Sequence, residues 1–395
     1  MLIYIVRRLL LMIPTLFGVT LLVFTVMALA PGGIGGPGLN DEGVLQGEEG
    51  RRIREYYERR YGLNKPLVVQ YGWWLNAMSP LGWEPTTDET ASWFNAITPV
   101  VLERLDDGSN QWHMVTPGFD SQTLTSTDVW TFGVKMPDMG ESLSRRRPIV
   151  DLLRDALPIT MLLNVISIPI IYGIGILSGL IAARHRGKLF DVGSGAVFLG
   201  LWSVPTIWAG VMMIGLLANR QYIKLFPTSG IQSPDAADMT FLPRFTDAGF
   251  EHGFVLDMLW HLALPIACLT YGGFAFLSKL TRTSILENLN ADYVRTARAK
   301  GLDENVVLFR HVFRNSTLAL ITVAAGILPA LLGGSIIVET IFSIPGMGRL
   351  AVEAVQYRDR ELVLSITFVG GFIGLTSEII RDICYAIADP RVSYE

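Results

Sequence analysis

The sequence predicts an all-α membrane protein with six transmembrane helices, and three observations carry that class. Half of the 395 residues are hydrophobic and only 17% are charged, and the mean hydropathy is +0.39. Such values suit a polytopic membrane chain. Six apolar stretches approach or exceed the roughly 20 residues that cross a hydrocarbon core: Leu9–Ala30, Leu157–Ala183, Val192–Ala218, Leu256–Leu280, Leu318–Ile341 and Leu362–Ile387. Lys and Arg gather in alternate flanks, which orients the spans. The net charge of −4 argues against a nucleic-acid partner.

The first stretch follows Arg7 and Arg8 and ends at Ala28-Leu29-Ala30, imitating a secretory signal. The apolar run is too long for one, and Pro31 would sit directly after the scissile bond, so a retained span is expected. Arg184, Arg186 and Lys188 fill the loop between spans two and three. Arg282, Arg295, Arg298, Lys300, Arg310 and Arg314 lie between spans four and five. Six spans put these basic segments on one side, and the rule makes that side cytoplasmic, with both termini.

Residues 31–157 form the one sizeable hydrophilic region, with 12 Lys and Arg against 18 Asp and Glu and six of the nine tryptophans. An exit at Ala30–Gly38 leads to an expected surface helix over Glu48–Tyr61. A disordered linker would be poor in aromatics, so the segment is expected to fold as a small external cap. Trp73 and Trp74 are either part of it or anchors at the lipid interface. With both cysteines, Cys268 and Cys384, inside spans, that cap has no disulfide to hold it. No Cys or His pair has metal-ligand spacing, and no cofactor is expected.

Prolines mark spans two to five at Pro158, Pro169, Pro205, Pro265 and Pro329. Each breaks the backbone ladder and needs neighbouring protein or water. Gly173, Gly175, Gly179, Gly326, Gly333 and Gly334 read first as helix-packing positions. Charges within spans are scarce. Asn164 is the clear mid-span polar residue, His261 and Lys279 sit near the ends of span four, and Glu378, Arg381 and Asp382 suit either snorkelling or a local ion pair. Nothing resembles the midplane proton relay of a secondary carrier. A phosphate-cradling G-x-x-x-x-G-K-[ST] pattern is missing too, Gly187-Lys188 being followed by Leu189. Around His113 there is no nucleophile arrangement for a membrane-bound enzyme.

The most informative stretch runs from Asp292 to Ser316. Ala297, Ala299 and Lys300 favour helix, Gly301 suits a left-handed helix end, and Asp303 suits a cap for a second helix through Val306, Phe309 and Phe313. Two short polar helices with a Gly hinge at a membrane surface suit the grip of a partner.

This stretch resembles the cytoplasmic coupling motif of permeases of binding-protein-dependent ABC importers, in the dipeptide, oligopeptide and nickel group. Against Glu-Ala-Ala-x-x-x-Gly, Ala297 and Gly301 match, while Arg295 and Thr296 replace the Glu and first Ala, as YVRTARAKGL-type members do. Val338–Val355 and Tyr385–Val392 are similar to later segments of these permeases. Tyr4–Thr20, Ala30–Gly33, Tyr61–Tyr71 and Asp138–Leu143 are similar to the N-terminal half of their B-type subunit.

The resemblance implies the type I ABC importer permease fold, divided into an N-terminal helix (1–30), an extracytoplasmic region (31–157) and a five-helix core (158–395) with a coupling loop at about 282–316. An insert at about 83–134 between helices 1 and 2 exceeds the usual pattern. Also implied is a transport subunit of a bacterial cytoplasmic membrane. Its partners are a second homologous permease in a heterodimer, two cytoplasmic ABC ATPase subunits and an extracytoplasmic solute-binding protein, in a lipid bilayer. Asp292, Tyr293, Arg295, Thr296, Ala297, Arg298, Ala299, Lys300 and Gly301 become the residues that contact the ATPase. Ala297 and Gly301 are small for close approach, and Arg295, Arg298 and Lys300 are either partner contacts or topology determinants.

Overall fold

A computed structural model describes residues 2–29, 65–85, 100–104, 112–115, 130–219, 221–246, 249–324, 327 and 335–388. The expected helix over Glu48–Tyr61, the exit at 30–38, Pro329, Gly326, Gly333, Gly334 and residues 389–392 lie outside them. The chain divides into two compact units: Thr20–Val150 with Tyr357–Ser365, and Met1–Val19 with Asp151–Gln356 and Ile366–Glu395.

In the first unit, α2 (Leu67–Met78) follows Pro66, which cannot donate into a ladder and fits a helix start. Gln70, Tyr71, Trp74 and Met78 form its buried face. Trp74 is buried and packs within the unit, while Trp73 is exposed. Four strands follow: β1 (Leu81–Pro85), β2 (Val100–Arg104), β3 (Trp112–Val115) and β4 (Trp130–Val134). They form an antiparallel sheet in the order β1-β4-β2-β3. The described part of the insert is therefore β-structure, which the all-helical expectation did not contain.

A buried polar knot closes this unit. The Asp359 carboxylate accepts from Ser142 Oγ at 2.6 Å and from the Ser144 amide at 3.0 Å. Arg360, only 1% exposed, donates to Glu361 at 2.8 Å and to Gln70 Oε1 at 2.7 Å. Buried charge is tolerated only when paired and hydrogen-bonded, and both conditions are met.

The second unit is mostly helical, with an antiparallel hairpin, Arg244–Thr246 against Gly249–Glu251. Within the unit run α3 (Ile149–Arg184, from Asp151 on), α4 (Leu189–Ser203), α5 (Thr206–Met213), a π-helical segment (Ile214–Ala218) and α6 (Gly253–Leu289). Then come α7 (Asp292–Ala299), a helical turn (Glu304–Val306), a second π segment (Val307–Phe313) and α8 (Arg314–Ala324). Three more helices follow: α9 (Ile336–Ile341), α10 (Met347–Gln356) and α11 (Arg360–Ala388, from Ile366 on). The N-terminal helix α1 spans Leu2–Leu29.

Among the described residues four helices are long and apolar enough to cross a membrane: Val6–Leu29, Ile149–Arg184, Gly253–Leu289 and Arg360–Ile383. The expected third span is not straight. It is broken between α4 and α5 by a 92° bend, where Val204 is extended ahead of Pro205. Proline disfavours helix in the residue before it and removes a donor. The Val204 carbonyl is instead satisfied by Tyr271 Oη, which donates at 2.6 Å. The expected fifth span, Leu318–Ile341, contains residues outside the described set.

Between α3 and α6 the contact runs through small residues. A Cβ at Gly175 would lie 2.8 Å from Leu277 Cβ, and one at Gly179 would lie 2.5 Å from the Ser278 carbonyl oxygen. Lipid removes the hydrophobic drive between helices, so close backbone approach supplies the packing. Gly175 and Gly179 thus act as the expected packing positions, whereas Gly173 meets nothing. Arg8 of α1 reaches Asp382 of α11 at 2.8 Å, and Arg381 pairs with Glu378. The ion-pair expectation for Glu378, Arg381 and Asp382 holds, with Arg8 as an added member.

Candidate functional site

The coupling stretch folds as two short helices around one left-handed residue. Asp292 occupies the first turn of α7, where its negative charge meets the positive helix end. Thr296 Oγ1 donates back to the Asp292 carbonyl at 3.0 Å. The helix stops where Gly301 takes φ +77°, its amide bonding the Arg298 carbonyl at 2.9 Å. A Cβ on Gly301 would meet nothing within 4 Å. Backbone conformation, and not crowding within the chain, is what requires glycine here. Asp303 then caps the next turn, accepting from the Asn305 amide at 2.8 Å, as expected.

One face of α7 is internal. Val294 is 0% exposed and Ala297 5%, and both join a cluster with Ala183 of α3, Ile285 of α6, and Val307, Leu308 and Val312 of the second π segment. Burying a valine side chain contributes about 1.5–3 kcal/mol, so Val294 alone seats the helix firmly. This corrects the reason given for Ala297: its side chain faces the protein's own core, and its small size serves packing inside the chain.

The opposite face is open. Asp292, Tyr293, Arg295, Thr296, Arg298, Ala299, Lys300 and Gly301 are all exposed. Arg298 is engaged with Glu304 through two hydrogen bonds, at 2.7 and 3.1 Å. Arg295 lies 3.6 Å from Asp292 in a loose, solvated pair. Among the described residues Lys300 has no ion-pair partner.

Polar bonds tie the hairpin to the long helices. Tyr293 Oη donates to Asn288 Oδ1 at 2.7 Å, and Asn288 Nδ2 reaches Ser316 Oγ at 3.2 Å. Ser316 Oγ contacts the Ser284 carbonyl at 3.1 Å, while Ser284 Oγ contacts the Ser316 carbonyl at 3.2 Å. Nearby, Arg282 of α6 grips Asp191 at the start of α4, with Nη2 to Oδ2 at 2.8 Å. The Gly187 amide also donates to Asp191 at 2.8 Å. The seat of α7 is therefore built from the ends of α3, α6 and α8, and α6 in turn holds the start of α4 through Arg282.

Glu339 is a structural centre the sequence reading passed over. It is 0% exposed and accepts from Thr160 Oγ1 at 3.1 Å, the Ser335 amide at 3.2 Å and the Arg349 amide at 2.9 Å. It lies within the segment Val338–Val355, and a Cβ on Gly346 would strike its Cδ at 2.5 Å. Gly346 and Arg349 lie within ten residues of Glu339, but Thr160 comes from α3, 179 residues away, and only the fold brings it there.

A family model described as "Binding-protein-dependent transport system inner membrane component" matches residues 175–394. The "Inner membrane ABC transporter permease protein YejB" of Escherichia coli O157:H7 is 30% identical over 398 residues, covering 99% of both chains. The "Oligopeptide transport system permease protein AppB" of Bacillus subtilis (strain 168) is 31% identical, again over 99% of both. The "Di/tripeptide transport system permease protein DppB" of Pseudomonas aeruginosa (strain UCBPP-PA14) is 30% identical across all of both chains.

Proposed function

Because this chain belongs to the binding-protein-dependent transport system inner membrane component family, we propose that it is the permease of an ATP-driven peptide importer, moved through α7 by ATPase subunits that are separate chains. It is a multi-pass inner-membrane transport subunit of the type I importer permease class, mostly helical, and not itself an enzyme. The proposal adds the substrate class, the coupling residues, the orientation and the assembly.

The two-faced character of α7 carries the reading. Its inner face, Val294 and Ala297, is locked to the ends of three helical elements, while Tyr293, Arg295, Thr296, Ala299, Lys300 and Gly301 are exposed. A handle needs this combination of rigid mounting and free grip. The names of the relatives, oligopeptide and di/tripeptide permeases, support peptide as cargo. A second homologous permease completes the path, a solute-binding protein delivers peptide from outside, and α7 faces the cytoplasm with both termini. The Arg8–Asp382 contact supports a common side for the two ends of the chain.

Cysteine crosslinking tests the handle. Ala299→Cys and Lys300→Cys should each form a crosslink to an ATPase subunit in membranes of the assembled transporter, and the yield should change when ATP is added. Labelling of these two cysteines by a membrane-impermeant reagent from outside the cell would refute the assignment.

A further inference from the structure

A cavity of about 540 Å³ opens at the other end of α6 from α7, between the π-helical segment Ile214–Ala218, the loop after it, and His261. Its polar lining consists of Asn219, Lys224, Thr228, Ser229 and His261, with Phe226 as an apolar wall and no Asp or Glu among the lining residues. Among the described residues Lys224 has no ion-pair partner, and the Thr228 and Ser229 side chains make no hydrogen bond. Lys224 also sits at φ +41°, a left-handed backbone that a side-chain-bearing residue adopts at a cost and that marks functional positions more often than inert ones.

His261 is held from behind. Its Nδ1 lies 2.9 Å from the Asp257 carbonyl oxygen and 3.5 Å from the Asp257 carboxylate. Asp257 is itself fixed by Ser233, whose amide and hydroxyl donate at 2.7 and 2.6 Å. In the tautomer whose Nδ1 donates to that carbonyl, Nε2 is the acceptor. The cavity thus offers an ammonium, two hydroxyls and an amide that donate, beside one oriented acceptor.

We propose that this cavity receives the C-terminal end of the transported peptide, Lys224 and the hydroxyls of Thr228 and Ser229 holding its carboxylate while His261 Nε2 accepts from its last peptide N–H. An inorganic phosphate can meet both the donors and, through a P–OH, His261, but it offers nothing to the apolar wall at Phe226. A peptide terminus supplies both an anion and a donor two bonds away, and Phe226 gives its last side chain an apolar surface. The inference rests on the peptide-import reading for its substrate class. It makes the permease itself a selector at the face opposite the coupling helix.

The test uses the assembled transporter in nanodiscs, without binding protein, and two probes, trialanine and trialaninamide, titrated by saturation-transfer NMR. Wild type should bind the free acid roughly tenfold more tightly than the amide, the range expected for a charge-assisted contact. Lys224→Met, at an exposed position, should bring the two probes to equal affinity. His261→Gln, which retains an acceptor, should bind trialanine better than His261→Leu, and Thr228→Val provides a second variant at an exposed position. Equal binding of both probes by wild type, or a preference unchanged in Lys224→Met, overturns the proposal. Loss of peptide uptake with the binding pattern intact would count against the import reading and leave the cavity assignment standing.

Discussion

Arg298 holds both carboxylate oxygens of Glu304 across the turn made at Gly301, so the end of α7 and the start of the following helix are clasped by one side-chain pair. Both partners are well exposed, at 43% and 68%. Water and salt screen such pairs. A double-mutant cycle on Arg298→Ala and Glu304→Ala should give a coupling of about 0.5 kcal/mol in the thermal unfolding of purified permease, shrinking in high salt. A coupling several times larger would mean that the pair is desolvated in the assembled protein.

Gly301 should tolerate asparagine better than alanine. Left-handed backbone costs an ordinary residue roughly 1–2 kcal/mol, and asparagine less than most. Gly301→Ala is expected to lower ATP-driven uptake at matched expression, Gly301→Asn to keep most of it, and Gly301→Asp to abolish it through its added charge at the grip. Equal uptake by all three variants would remove both the backbone requirement and the coupling role.

The two faces of α7 should separate in mutagenesis. Ala297→Arg drives a guanidinium into the cluster around Val294 and Ile285, and an unpaired buried charge costs several kcal/mol. Its yield of inserted protein should fall sharply. Arg295→Ala and Lys300→Ala should insert normally and weaken co-purification of the ATPase subunits. Normal yield of Ala297→Arg would contradict the inward face.

Glu339→Ala should destabilise more than Glu339→Gln. Alanine leaves the Thr160 hydroxyl and the Ser335 and Arg349 amides without their acceptor, at about 1–3 kcal/mol for each buried group left unsatisfied. Glutamine keeps one carbonyl oxygen for them. Detergent melting curves of the two variants should differ by several degrees, with alanine lower.

The insert offers a clean excision. Pro85 pairs with Trp130 at the far end of the β1–β4 ladder, so residues 86–129 can be replaced by Asn-Gly, the favoured two-residue hairpin loop. We expect the shortened chain to insert and to retain its ATPase subunits, while delivery from the solute-binding protein is impaired. Undiminished peptide uptake by this variant would show that the insert is no docking platform.

The coupling hairpin was legible because its signals are local. The glycine end, the Asp303 cap and the helix-forming run from Tyr293 to Lys300 all act within one or two turns. The side Ala297 faces was not legible, because burial there depends on Ala183 and Ile285, residues from distant helices. Glu339 escaped notice for the same reason, its partners Thr160 and Arg349 being brought together only by the fold. In the insert, strands of four or five residues such as Trp112–Val115 are too short for an alternating pattern to stand out. The elbow at Pro205 could be suspected from proline, but not its 92° angle, which depends on what accepts the broken ladder.

That elbow has a mechanical consequence. Tyr271 secures the bend, and Tyr271 belongs to α6, the same unbroken helix that ends beside Asp292. At 1.5 Å per residue, about 30 Å of continuous rod separates the two points. If α7 is the handle, a stroke applied there would reach the bent segment through this one stiff shaft, with no joint in between.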